Sequence, residues 1–458
     1  MSLTDHTALP LCADVDVLVV GGGPAGIGAA LAAARNGASV LVIEQFNCLG
    51  GVAGAGGHGH ISIYCAWGDK LRVAGGVIYD VARRLVAEGA GWMNHHGVWF
   101  EVEKFKFLLE RMMIEAGVRL LYHTFFCEAV VADGTVVGAV IQNKGGRQLI
   151  TAKRIVDCTG DGDVAASAGA PIEIGRPGDS KCQPVTLMFT VGGVDYPKVE
   201  AWRTDYQMKD VWAEAQRNGD MEPFQSVVMG FWHTPTRPDQ IGCNFTHITN
   251  VDTTKAEDLT RATLEGRRQA FQSVDVYRKY VPGMENCYMV STPNTVGLRE
   301  SRRIVGEVVL TEDDMKAQRA WDDSIGHGSF FIDIHHIDGP GMDHTTWRPD
   351  KGFRYQIPYR ILVPQGVENV LVAGRCVSVT HVALGSIRVM VQCALTGEAA
   401  GAAAALSLSA GVTPRAVDVP ALQADLRAHD GILDEDDIAR VNAGKAWFWE
   451  ADAEVARR

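Results

Sequence analysis

No two of the ten cysteines stand as C-x-x-C. That absence weighs against structural zinc, iron–sulfur ligation and a thioredoxin-like redox pair. Scattered single cysteines in a large chain read instead as a reduced, cytoplasmic protein. Positive charge is scarce too: 43 Lys and Arg stand against 55 Asp and Glu, a formal net charge of −12. A nucleic-acid partner needs a basic patch or stripe, so none is expected. The most apolar stretch, Gly385 to Ala410, is interrupted by Arg388, Gln392 and Glu398. It reads as a buried core helix, and no membrane insertion is expected. The leading MSLTDHTALPLCADVD has no basic segment and carries Asp5, Asp14 and Asp16, unlike a signal peptide. No H-E-x-x-H accompanies His335-His336, and adjacent histidines project differently. With Asp333 and Asp338 beside them they are expected to line a cap, and no metal is expected.

What the chain does hold is core-forming. Of 458 residues, 47% are hydrophobic and 21% charged, enough for about three domains or one large domain with an insertion. The fifty glycines are aperiodic and fall at expected turns, which excludes collagen-like and linker readings.

Val17–Val20 is an apolar run of strand length that ends at Gly21-Gly22-Gly23-Pro24-Ala25-Gly26. An alanine-rich segment to Gly37 and a second run, Val40–Ile43 closed by Glu44, complete a βαβ unit with parallel strands. Helical spacing from Val102 to Ala116 ends at Gly117, and Val118–Tyr122 reads as strand. From Cys127 to Asp157 the pattern becomes short alternating strands, turned at Ala132–Thr135 and Lys144–Arg147. Another run, Arg154–Asp157, enters the cluster Thr159-Gly160-Asp161-Gly162-Asp163. The chain between about Pro171 and Tyr355 is richer in Trp, Pro and His and loses the βαβ rhythm, whereas Val370–Ala373 restores it. The fold class is therefore α/β, a doubly wound parallel-sheet domain that is discontinuous and carries an inserted α+β cap. Residues 1–170 and 356–412 would form the nucleotide domain, 171–355 the cap, and 413–458 a charged, partly helical tail.

Gly21-x-Gly23-x-x-Gly26 follows a predicted strand and opens a predicted helix, the context the dinucleotide fingerprint requires. Its glycines permit a tight turn, a close approach to pyrophosphate and close helix–strand packing, and the helix N-terminus attracts the phosphate charge. Glu44 lies at the offset suited to ribose hydroxyls. NAD and FAD share this fingerprint. The nearby Gly50-Gly51 turn suits a longer ligand continuing towards a flavin, but equally a surface loop. Thr159–Ala165 imitates a second fingerprint without the acidic strand that should follow. It reads as the tip of a further parallel strand approaching the first cofactor, leaving one dinucleotide site.

Several segments resemble one family: DVLVVGGGPAGIGAALAAARNGASVLVIEQ, RIVDCTGDGDVAASAGAP, VGLRESRRIVGE, FFIDIHHIDG, YQIPYRILVPQGVENVLVAGRCVS and THVALGSIRVM. They are similar to FAD-dependent oxidoreductases related to the flavin domain of heterodisulfide reductase A. More distantly they resemble the fumarate-reductase and glutathione-reductase type of FAD fold. The likeness runs from about Asp16 to Leu406 and implies non-covalent FAD. Pyrophosphate contacts are implied from Gly21, Gly23, Pro24, Ala25 and Gly26, and adenosine contacts from Glu44 and Gln45. Flavin contacts are implied near Gly50, Gly51 and Val52 and at the junction after Gly374 and Arg375. Cys127, Thr159, Gly160 and Asp161 complete the expected cofactor set with Gly385, Ser386, Ile387 and Arg388. The chain departs from these relatives in lacking iron–sulfur and paired redox cysteines.

Flavin would supply the hydride chemistry, and the protein orientation and proton handling. Ser386 is placed to cap a helix beginning at Ile387, whose N–H groups would face the reduced flavin. Arg388, then in the first turn, opposes the dipole and needs a partner such as a phosphate, carboxylate or substrate. His381 is a candidate general base, or a loop histidine bonded for structure. Arg299 and Arg302, read as helical, are candidates for an anionic substrate or for pairing with neighbours such as Glu300. His58 and His60 are expected near the flavin. The expected activity is hydride transfer from a C–OH or C–N centre of a small polar molecule to FAD. Oxygen, a quinone or a redox protein would be the electron acceptor, and homo-oligomers are compatible. The alternatives are reduction of an activated double bond and a flavin-carrying electron-transfer subunit.

Overall fold

The computed structural model describes residues 9–203, 205–224 and 231–443. The expectations for the first eight residues, and for 444–458 of the tail, lie outside the described residues. Strand β1 (Leu11–Val20), helix α1 (Pro24–Arg35) and strand β2 (Val40–Ile43) form the expected unit. β1 pairs in parallel with β2 on one side and with the long strand Gly146–Asp157 on the other. Arg119–Leu121 extends the parallel sheet beyond β2, and Val370–Val372 joins it on the last residues of Gly146–Asp157. An antiparallel meander, Phe125–Ala132 and Thr135–Asn143, completes seven strands. Its first turn carries Asp133 and Gly134 at φ 49° and 76°, the left-handed pair that a two-residue hairpin favours. Val17 and Val19 enter one core cluster while Leu18 and Val20 enter another. A strand buried on both faces reads as an unbroken apolar run.

The fingerprint helix α1 crosses the long helix Met390–Ser409 at backbone contact. A Cβ on Gly397 would lie 1.9 Å from Ala25 O, and one on Gly401 would lie 2.0 Å from Ala29 O. Only glycine fits where two helix backbones approach this closely. The alanine-rich sequences of both helices thus have a packing cause. This crossing binds residue 25 to residue 397, the two halves of the discontinuous unit.

A separate four-stranded antiparallel sheet, in the order Phe231–Thr234, Arg237–Cys243, Phe189–Gly192 and Tyr288–Ser291, packs against the 25-residue helix Ala256–Tyr280. Its core draws on residues between Phe189 and Cys287. Leu310, Ile325, Phe353 and Tyr355 belong instead to the main core, and Ser324–Gly328 pairs with Tyr355–Pro358. The 171–355 stretch is therefore divided among several core clusters. In the tail, Val419–Ala428 and Glu435–Asn442 are helices, and Leu422 and Leu426 are buried in the main core.

Gly385 to Ala410 is not one helix. His381–Ile387 and Met390–Ser409 meet at 92° across Arg388-Val389. Among the described residues no single helix is long and apolar enough to cross a membrane.

Candidate functional site

Gly21 turns out of β1 at φ 100°, and a Cβ there would sit 2.5 Å from Cys158 O. The first glycine is thus required by the neighbouring strand end as well as by its own turn. Gly26 is tighter still, its Cβ position lying 1.9 Å from Gly21 O. α1 begins with Pro24 after Gly23, and no side chain caps it. Its first N–H groups remain for an anion. The Gly50-Gly51 turn packs directly on this one: Gly50 N–H donates to Gly22 O at 2.8 Å, and a Cβ on Gly51 would lie 3.0 Å from Gly23 Cα. Val52 follows, its Cγ2 against Gly297. Glu44 Oε2 accepts from Gly22 N–H at 2.7 Å and Oε1 from Phe46 N–H at 2.9 Å. Burial pushes its carboxyl up against these two bonds. Gln45 adjoins it. Three residues before Cys127, Thr124 N–H donates to Glu44 O, while Cys127 itself is exposed.

The Thr159–Asp163 tip is organised by Asp157, which is fully buried. Its Oδ2 accepts from Val164 and Ala165 N–H, and its Oδ1 from Thr159 Oγ1 at 2.7 Å. Burial raises its carboxyl, against those bonds. Arg375, after Gly374, pairs with Asp161 at 2.9 Å and lies over Gly160, while its Nη1 is buried without a partner. Arg302 is drawn to the same tip, donating to Asp161 O at 2.8 Å and pairing with Asp163. It is not brought to Arg299. Neither arginine is helical: residues 299–301 are irregular and Arg302–Ile304 is a strand paired with Ile172–Ile174.

Two glycine turns in contact, an uncapped helix N-terminus, a ribose-suited carboxylate and an unpartnered guanidinium N–H fit a dinucleotide. A family model for FAD dependent oxidoreductases matches residues 16–426. The chain belongs to this family. It is an oxidoreductase, and its cofactor is FAD. A thiamine thiazole synthase from Methanococcus aeolicus is 29% identical over 163 residues, 34% of this chain and 58% of that protein. The chain thus spans little more than half the length of the curated relative it matches. Among solved structures, a geranylgeranyl bacteriochlorophyll reductase-like protein from Thermoplasma acidophilum aligns with a TM-score of 0.44 and 13% identity, over 97% of this chain and 99% of that one. Flavin-dependent brominase Bmp2 aligns with a TM-score of 0.44 and 14% identity, over 91% and 84% of the two chains.

In this oxidoreductase the helix His381–Ile387 starts before Ser386, not after it. Thr380 is its N-cap, accepting from Ala383 N–H at 3.1 Å, so His381 opens the helix and Ser386 and Ile387 close it. Ser386 caps nothing. Its hydroxyl donates to Phe330 O at 2.6 Å and meets Tyr355 OH at 2.9 Å. Thr380 already supplies the hydroxyl that a helix start prefers. Arg388 is accordingly at the C-terminal end, where a cation suits the dipole, and pairs with Asp333 at 3.1 Å. Gly385 lets this happen: a Cβ there would meet Ile334 at 2.7 Å and Asp333 O at 3.0 Å.

His381 is 6% exposed, and its Nδ1 meets Glu300 Oε1 at 2.8 Å. Glu300 is fully buried, accepts from Gln183 N–H and pairs with Arg303. In the sequence Glu300 stands only as a neighbour of the arginines, and Asp333 only as a flank of two histidines. Their roles come from segments separated by scores of residues. His58 is packed edge-on against Trp232, and His60 stacks on Trp99 at 4.4 Å. Burial and the Arg299 charge bring His58 down to about 4, and burial brings His60 down to about 3.

Proposed function

We propose that this FAD-dependent oxidoreductase removes a hydride from a C–OH or C–N centre of a small polar organic molecule, with His381 taking the accompanying proton. The reading is carried by the His381–Glu300 pair. Glu300 holds Nδ1 at 2.8 Å, which orients the ring and leaves Nε2 for the substrate's O–H or N–H. FAD, when bound, supplies the hydride acceptor. Gly21–Gly26, Glu44, the Gly50–Val52 turn and the Thr159–Arg375 tip hold it, and Arg299 lies on the substrate side. The sheet and helices between Phe189 and Cys287 serve as a cap, keeping water from the reacting atoms. Reoxidation is by oxygen, a quinone or a redox protein. The motifs quoted above support the closer kinship with the flavin domain of heterodisulfide reductase A. Ten free cysteines support a reduced, cytoplasmic setting.

Anaerobic mixing of holoenzyme with alcohols, amines and hydroxy acids tests the reading, with bleaching of the flavin expected from one class. His381→Ala should slow that bleaching by about 10²- to 10⁴-fold at unchanged FAD content. If no class bleaches the flavin, yet unsaturated acids reoxidise chemically reduced flavin, the reaction runs in the opposite direction.

A further inference from the structure

Arg299 is buried, 8% exposed, and its hydrogen bonds go to neutral oxygens. Nη1 donates to Pro184 O at 2.7 Å and to Thr186 Oγ1 at 2.6 Å. Among the described residues no carboxylate pairs with it. Arg388, its side chain 11% exposed, shares the neighbourhood and pairs with Asp333, donating to Oδ2 at 3.1 Å and to the backbone O at 2.9 Å. Burial and the Arg388 charge lower Arg299 to about 9, so it remains charged at neutral pH. The surrounding imidazoles do not compensate. Burial and then Arg299 bring His335 down to about 4, and the same causes bring His247 down to about 3. Two guanidiniums therefore share Asp333, because Glu300, whose charge also reaches Arg388, is already held by Arg303 and His381. An uncompensated buried charge is costly unless a partner arrives.

A second observation marks the same place. Arg388 Nε, Asp333 Oδ1, His247 Nδ1, Gln183 Nε2 and His335 Nδ1 are buried and lack partners, and His335 Nε2 has only Asp333 Oδ2, at 3.6 Å. Buried polar atoms are normally satisfied, and a cluster of exceptions signals a missing ligand or water. The cluster has a definite place in the fold. Gly297, two residues before Arg299, touches Val52 of the second glycine turn, and Arg388 sits directly before the helix Met390–Ser409. Both flank the position at which the flavin end of the cofactor is expected.

We propose that Arg299 and Arg388 anchor a substrate carboxylate, so that the molecule oxidised is a small organic acid bearing the reacting C–OH or C–N centre. This rests on the hydride-transfer reading above and names its substrate class. One excess positive charge matches a monoanionic carboxylate better than a phosphate dianion. The histidines and Gln183 supply neutral hydrogen-bonding groups around it.

Acetate and its neutral counterpart acetamide are titrated into oxidised holoenzyme while the visible flavin spectrum is followed. Acetate should perturb the spectrum saturably and acetamide should not. Arg299→Gln should weaken acetate by about 10- to 100-fold at equal FAD content, with Arg299→Lys intermediate. No saturable change with acetate, or equal response to acetamide, overturns the proposal without any variant having to fold. So does an Arg299→Gln protein that binds acetate normally and shifts only the flavin potential, because the guanidinium then serves the reduced flavin. Neutral alcohols that bleach a flavin indifferent to acetate would leave the hydride reading standing and remove the carboxylate anchor. Arg299-dependent acetate binding with no bleaching by any class would do the reverse.

Discussion

One methyl group at Gly397 tests how the two halves of the cofactor site are held together. The added Cβ would sit 1.9 Å from Ala25 O, 2.6 Å from Ala25 C and 2.7 Å from Ala25 Cα. All three are backbone atoms, so no flexible side chain can yield. Ordinary contact begins at 3.4 Å, so the helices must separate by about 1.5 Å in a close-packed interior. Overpacking of this kind costs about 3 kcal/mol. Alanine's better helix propensity returns about 1 kcal/mol, leaving a net loss of about 2 kcal/mol. Ala25 is also in the first turn of α1, so its N–H shifts at the helix N-terminus proposed to hold the pyrophosphate. Gly397→Ala should therefore lower the urea midpoint and weaken FAD by about tenfold, whereas Ser409→Ala, at the exposed end of the same helix, should change the midpoint little. A Gly397→Ala protein that is more stable than the parent and retains its full FAD would show that propensity outweighs the clash, refuting the contact argument.

Acid should destabilise the fold before ordinary carboxylates titrate. His58 and His335 are brought down to about 4 by burial and then by Arg299, against about 6.5 in an unfolded chain. The unfolded chain gains protons below 6.5 that the folded one refuses, so this stability is complete above 6.5 and is lost as pH falls towards 4. By pH 5 each histidine costs about 2 kcal/mol, and an unchanged urea midpoint between pH 7 and 5 would contradict it. Arg302→Ala should loosen the Asp161–Asp163 tip and weaken FAD several-fold, without slowing flavin reduction once FAD saturates. A slowed chemical step would return Arg302 to the substrate. Ellman-type thiol titration of the native protein should find Cys127 reacting first, since it is the exposed cysteine. Cys127→Ser should remove that phase and bound FAD should slow it; an unchanged rate with FAD would take Cys127 out of the cofactor set.

Much of the first half of the site is legible in the chain. The Gly21–Gly26 turn, Glu44, the hairpin at Asp133-Gly134 and the parallel strand ending at Asp157 all obey local rules of turn chemistry and apolar patterning. The tip at Thr159 is expected near the cofactor, and Gly21 does lie against Cys158 O. In the second half two adjacent signals compete and the wrong one prevails. Thr380 and Ser386 both suit a helix N-cap, and the apolar run beyond Gly385 conceals a 92° bend because both arms are buried. The segment holding Arg299 and Arg302 suggests a helix only because so short a charged stretch has no period long enough to exclude one.

By itself the sequence determined the α/β class, the dinucleotide turn and the first βαβ unit, because these depend on glycine at fixed offsets and on runs of four or five residues. Only the tertiary structure decided which charges meet. Glu300 reaches His381, Asp333 reaches Arg388, and Arg299 is left with neutral oxygens. Those pairings join residues 55 to 115 positions apart. Their energies depend on burial and on counter-ions supplied by other segments, quantities that no local pattern contains.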